Sequence, residues 1–133
     1  MVRIYNNESG KLSYTLSTLS SDDDMPITQV LWRPTSQALK TSNVLVTGSA
    51  DGTLKHWHAT SGKCLHSRQD DPENHIYCMD FNLEGTLLAV AGRDRYIHIY
   101  DETTKSLAFS MREYGDKCGH SNRVFCTKFN PAD

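Results

Sequence analysis

"DGTLKHWHATSGKC", from Asp51 to Cys64, and "DRYIHIYDETTKSL", from Asp94 to Leu107, are two versions of one pattern. A third version, "VRIYNNESGKL", runs from Val2 to Leu12. Laid over one another without gaps, they put Tyr5, Trp57 and Tyr100 in correspondence. Gly10, Gly62 and Lys105 then share one place in the polar turn that follows. Leu12, Cys64 and Leu107 open the next apolar stretch. The copies recur at intervals of about 40 to 50 residues, the period of a solenoid, a propeller or an array.

Two further elements accompany this one. "ITQVLWRP" from Ile27, "IYCMDFNL" from Ile76 and "VFCTKFNP" from Val124 each begin with an apolar residue and place an aromatic sixth: Trp32, Phe81 and Phe129. "NVLVTGSADG" from Asn43 and "LLAVAGRDR" from Leu87 run from small or β-branched residues into a turn at Asp51 or Asp94. All these segments are short, rich in Val, Ile, Tyr, Phe and Thr, and bounded by Gly, Pro, Asp or Asn. That composition specifies strands, and no stretch holds a helical apolar period over three turns. The unit is therefore four antiparallel strands: a (Ile27 type), b (Asn43 type), c (Trp57 type) and d (after the polar turn). In "YIHIYD", Ile97 and Ile99 point to one side and His98 and Tyr100 to the other. Large groups on both faces suit a sheet buried on both sides. The fold class is all-β, with eleven strands expected in the order c-d, a-b-c-d, a-b-c-d, a.

The bulk properties set outer bounds. The chain has 133 residues, 38% hydrophobic and 23% charged, with a net charge of -2. This composition is globular, and the charge gives no general attraction to nucleic acid. No apolar run approaches the length of a membrane-spanning helix, and the first residues lack the apolar core of a secretory signal. Cys64, Cys78, Cys118 and Cys126 form no CxxC pair, which fits a reduced, intracellular setting, cytoplasmic or nuclear. The sequon Asn7-Glu8-Ser9 reads as a turn.

"GSADGTLKHWH", "AGRDRYIHIYD" and the Gly119-His120 pair ahead of "VFCTKFNP" resemble the WD-repeat β-propeller family, over nearly the whole chain. The resemblance implies four-stranded blades and one partial propeller over 1–133: strands c-d of a first blade at 2–19, whole blades at 27–68 and 76–112, and the start of a fourth at 119–131. It also implies a hydrogen-bonded set within each blade, for which Thr47, Asp51 and Trp57 stand in the second blade, Asp94 and Tyr100 in the third, and His120 in the fourth. No set is complete: the loop before Ile27 has no His, and Val90 stands where Ser or Thr belongs. Backbone N–H donors are expected to compensate both Asp turns. Two whole blades do not close a ring, which takes roughly four to eight. The expectation is that the chain is a piece of a longer propeller, with self-association or a second polypeptide as the other ways to close it.

The resemblance implies that d–a and b–c loops share one rim. There the sequence carries Asp22, Asp23, Asp24, Asp70, Asp71 and Glu73, with Arg93 and Arg95 partly offsetting the acid; the opposite rim carries Lys11, Lys40, Lys63 and Lys105. The acidic rim is a candidate surface for a basic peptide or protein, weighed against an ordinary solvated loop. For metal, His56, His58, Cys64 and His66 have ligand chemistry but not the tight paired spacing of structural zinc. His56 stands where Ile4 and Ile99 stand in the other copies, as an inter-blade packing position. Cys78 and Cys126, both third in strand a, lack the partners of a nucleophile. No phosphate-binding or nucleophile-elbow motif is present. The expectation is a non-catalytic protein-interaction scaffold without metal or cofactor, bound to other proteins rather than to membrane or nucleic acid. The alternative is a module that holds a basic or modified peptide on the acidic rim.

Overall fold

The computed structural model describes residues 2–16, 26–35, 42–111 and 126–130. These residues form ten strands: β1 (Val2–Tyr5), β2 (Leu12–Leu16), β3 (Ile27–Trp32), β4 (Val44–Ser49), β5 (Thr53–His58), β6 (Lys63–Gln69), β7 (Ile76–Phe81), β8 (Leu87–Gly92), β9 (Ile97–Asp101) and β10 (Ser106–Met111). They make a two-stranded sheet, β1-β2, and two four-stranded sheets, β3-β4-β5-β6 and β7-β8-β9-β10, every pair antiparallel and consecutive. Each four-stranded sheet is one blade. The eleventh strand expected near Val124 falls partly outside the described residues. Its described portion, 126–130, makes no ladder, yet it lies against β7, where the Phe129 N–H donates to Asp80 Oδ2 at 2.6 Å.

The turns follow from local chemistry. The strand c–d turns hold Gly10, Gly62 and Lys105 at φ of 68°, 70° and 57°, so the sequence equivalence is a conformational one. Glycine takes this left-handed region freely, and Lys105 occupies it against its side chain's preference. In the b–c turns the carboxylates close the loop. Asp51 Oδ1 accepts the Thr53 N–H at 2.9 Å and Asp94 Oδ1 accepts the Tyr96 N–H at 3.0 Å.

Burial explains why both faces of a blade are apolar. All six residues of β4 are buried. Val44 and Val46, with Leu54, meet Ile76, Met79, Phe81, Leu88, Val90 and Tyr100 of the next blade. Leu45, one residue out of phase, turns the other way with Trp57 onto Leu16, Val2 and Ile4. Strand β10, farthest from the axial strands, is exposed throughout. Each large apolar side chain buried between the blades contributes roughly 1.5–3 kcal/mol, so this shared core is the main force that docks one blade on the other. Among the described residues no helix is long and apolar enough to cross a membrane.

Gly48 lies at a close approach of the two blades. A Cβ there would stand 2.9 Å from Ile76 Cγ2 and 3.2 Å from Met79 Sδ. Gly48→Ala is expected to cost about 1–3 kcal/mol by overpacking this contact, read as a lower urea midpoint with an unchanged slope. An unchanged midpoint would mean that the blades have slack at this position.

Candidate functional site

The junction between the two whole blades collects the chain's most unusual polar chemistry. Glu102, in the turn after β9, has a side chain only 1% exposed. Its carboxylate accepts from His56 Nε2 on β5 at 2.9 and 3.1 Å, from Lys105 Nζ at 2.8 Å, and from Arg33 Nη1 just past β3 at 3.4 Å. Burial alone would raise its pKa. The hydrogen bond and charge of His56, and then those of Lys105, outweigh that and bring it down to about 2. The left-handed backbone at Lys105 belongs to the same turn as the ammonium that reaches Glu102. Three nitrogen-bearing side chains from two blades thus converge on one buried carboxylate.

A second network lies toward the rim. Tyr100 donates its hydroxyl to Asp70 Oδ2 at 2.6 Å, in the loop leaving β6. Arg68 binds both oxygens of Asp70 from Nε at 2.7 and 2.9 Å, places its guanidinium 4.7 Å from the centre of the Tyr100 ring, and donates from Nη1 to the Lys105 carbonyl at 3.1 Å. Burial first, and then the Asp70 bond, push the Tyr100 hydroxyl well above its ordinary range. Partial burial opposes ionisation of Asp70, but Tyr100 and Arg68 outweigh it and hold the carboxyl low. A cavity of about 240 Å³ opens here, lined by Arg68, Asp70, Asp71, Asp94, His98 and Tyr100 among others.

Of the blade set expected from the resemblance, one internal bond forms: Trp57 Nε1 donates to Thr47 Oγ1 at 3.1 Å. Asp51 stays in its own turn, where bonds from Thr53 and Ser49 outweigh its partial burial and keep its pKa low. Tyr100 departs from the expected role, since its hydroxyl leaves the blade for Asp70. Asp94 pairs instead with His98 Nε2 at 2.6 Å, from the strand it introduces. His120 lies outside the described residues, as do Asp22, Asp23 and Asp24. Asp71, Glu73, Arg93 and Arg95 are exposed on loops beside Asp70 or at the b–c turn.

The ligand-type residues of strands β5 and β6 do not converge. His56 and His66 face each other across the hairpin with ring centres 5.8 Å apart, but His56 is committed to Glu102. His58 bonds Ser61 and Thr60 on the exposed side, and Cys64 is exposed with Sγ toward the His66 carbonyl. Among the described residues no three His, Cys, Asp or Glu side chains are grouped to hold a metal. His56 lies between the blades and makes a hydrogen bond to Glu102 where packing alone was expected. Burial, followed by repulsion from His56, lowers the pKa of His66. Cys78 is buried and its thiol pushed up, whereas Cys126 is exposed.

Residues 13–58 and 62–101 match the family described as WD domain, G-beta repeat. The chain belongs to the WD-repeat family. The two matched WD repeats run from β2 to β5 and from near β6 to β9, so each sequence repeat begins in one blade and ends in the next. The U3 small nucleolar RNA-associated protein 21 homolog of Schizosaccharomyces pombe is 33% identical over the whole of this chain, which covers 13% of that protein. The nuclear distribution protein nudF of Emericella nidulans is 27% identical over 67% of this chain, covering 19% of its own length. This chain therefore spans a small part of the relatives it matches. Among solved structures, the RRP9 WD40 repeats and U3-55K each superpose with a TM-score of 0.59 at 18% identity, over 74% of this chain and 29% of theirs. That likeness concerns the fold.

The depressed Glu102 carboxyl makes the junction acid-sensitive. A group whose folded pKa lies below its ordinary 4.5 adds stability that is full above about pH 4.5 and is lost as the pH falls toward 2. Glu102→Gln leaves Arg33 and Lys105 without their carboxylate. It is expected to cost about 3 kcal/mol at neutral pH and to flatten the stability profile between pH 4.5 and 2. Urea titrations of both proteins across that range check it.

Proposed function

We propose that this chain forms part of a rigid, non-catalytic platform on which other proteins assemble. The observation that carries this reading is a WD-repeat blade pair locked by buried charge, with loops held in place on one rim. The WD-repeat family generally serves as scaffold, and fold alone does not name the partner. The S. pombe relative is described by its association with a small nucleolar RNA, which supports a place in an assembly of protein and RNA where this chain contacts protein. The proposed location is intracellular, cytoplasmic or nuclear. The remaining blades are proposed to come from further sequence or a partner chain.

A second reading is favoured by one specific feature. Asp70, Asp71 and Glu73 share an exposed loop, and Asp70, Asp71 and Asp94 line the cavity between blades. Arg68 neutralises only part of that charge. This suits a basic peptide laid over the rim, with Asp22, Asp23 and Asp24 as further candidates from the sequence.

The platform reading expects stoichiometric complexes with protein partners, measured as mass by light scattering of the co-purified protein. A protein that stays alone under all conditions overturns it. Reversing Asp71 and Glu73 to Lys is expected to weaken a Lys- and Arg-rich peptide about tenfold at low salt and little at high salt. Equal affinity for both proteins removes the rim from the reading.

A further inference from the structure

The cavity between the two blades is graded from wet to dry. Its base is Leu54, Ile76 and Val90, none of them more than 4% exposed. Its mouth carries the charge. The Asp70 and Asp94 side chains are 46% and 22% exposed, and Asp71 lies on the exposed loop beside Asp70. Among the lining residues three are carboxylates and one, Arg68, is a fixed cation. At about 240 Å³ the cavity is smaller than the roughly 300–1,000 Å³ of a site for a drug-sized molecule. It has room for one apolar side chain.

Two hydrogen-bonding groups at this cavity are free. The Asp70 oxygens are taken by Arg68 and Tyr100, and those of Asp94 by the Tyr96 N–H and His98. Asp71 differs: its Oδ1 accepts the Glu73 N–H at 2.9 Å, and its Oδ2 accepts from no described residue. The second free group is the amide N–H₂ of Asn74, a residue only 9% exposed. Asn74 Oδ1 accepts the Asp94 N–H at 2.9 Å, which fixes the orientation of the amide. Nδ2 is then a donor with no acceptor among the described residues. A donor at a cavity wall, in a residue otherwise buried, is placed for an acceptor that arrives from outside. The loop that carries both groups is held. The Asn74 N–H bonds the Asp71 carbonyl at 3.1 Å, and Gly52, at φ of 80°, packs so closely that a Cβ would collide with that carbonyl.

We propose that this cavity captures the free N-terminus of a partner polypeptide whose first residue is aliphatic. The α-ammonium meets Asp71 Oδ2 at the mouth, the first side chain covers Leu54, Ile76 and Val90, and the first carbonyl accepts from Asn74 Nδ2. An α-ammonium is one bond from the carbon that bears the side chain. Charge therefore stays at the wet end while the side chain enters the dry one. A lysine does the reverse: its ammonium ends the stem, so filling the base would bury the charge. A free amino acid fails too, because its carboxylate would stand among three aspartates. Capture of an N-terminal amine is one of the recurring modes of peptide recognition. This inference rests on the acidic-rim reading and replaces a general attraction to basic residues by one defined cation.

The test is isothermal titration of the whole chain, at two temperatures, with the synthetic peptide Leu-Ala-Gly-Ser-Gly-Ser amide. Saturable one-to-one binding is expected. Acetylating the peptide's N-terminus removes the charge and is expected to weaken binding about tenfold or more. Replacing its first Leu by Gly empties the base and is expected to weaken binding about tenfold. In the chain, Asp71→Asn keeps an oxygen for the Glu73 N–H and removes the charge. It is expected to weaken the peptide about tenfold with an unchanged urea midpoint. No binding at millimolar peptide overturns the proposal. Equal binding of the acetylated peptide, of the Gly peptide or of free leucine does so as well, as does full binding by Asp71→Asn. A Lys- and Arg-rich peptide with an acetylated N-terminus separates the two readings. If it binds and the Leu peptide does not, the amine site falls and the acidic-rim reading stands.

Discussion

A carboxylate removed from water must be met by donors, and for Glu102 two of its three partners come from another sheet. Arg33 and His56 reach it from the second blade, and Lys105 from its own turn. Apolar contact drives the two blades together but has no direction, so on its own it lets one sheet slide over the other. The hydrogen bonds that His56 and Arg33 make across the junction, at 2.9 to 3.4 Å, do not allow that. A slide of one residue would strand a buried charge, at several kcal/mol. The core therefore supplies most of the attraction, and the Glu102 cluster sets the alignment in which it acts.

The rim inherits this alignment through one residue. Arg68 holds Asp70 with one edge of its guanidinium, stacks on Tyr100 with its face, and donates to the carbonyl of Lys105, whose ammonium belongs to the Glu102 cluster. The acidic loop, the tyrosine and the buried carboxylate are thus parts of one network. A loop tied down in this way presents its remaining carboxylates at fixed positions, which lowers the ordering cost of binding.

What repeats was legible in the sequence, and what joins the repeats was not. Gly10, Gly62 and Lys105 were placed together by pattern alone, and all three adopt the left-handed backbone. The turn roles of Asp51 and Asp94 were equally visible, because an acceptor two residues before a free N–H is a local device. Glu102 looked like any acid in a polar turn, since its partners Arg33 and His56 lie 69 and 46 residues away. The strand pattern shows nothing of the tie between Gln29 and the Met79 N–H, 50 residues on. Tyr100 stands in the tryptophan's place with Val90 offering it no acceptor, and the sequence did not name the partner its hydroxyl finds, Asp70. The rim acids Asp22, Asp23 and Asp24 and the loop residue His120 lie outside the described residues.

The exchange of tryptophan for tyrosine has a consequence for cooperativity. The second blade has its own bolt, Trp57 on Thr47, within one sheet. The third blade's tyrosine spends its hydrogen bond on its neighbour. In a linear array, stability divides into what each unit holds alone and what it gains from the adjacent one. Here polar contacts have moved from the first share to the second. Such a transfer favours a pair of blades that open together as one unit over two that open in turn.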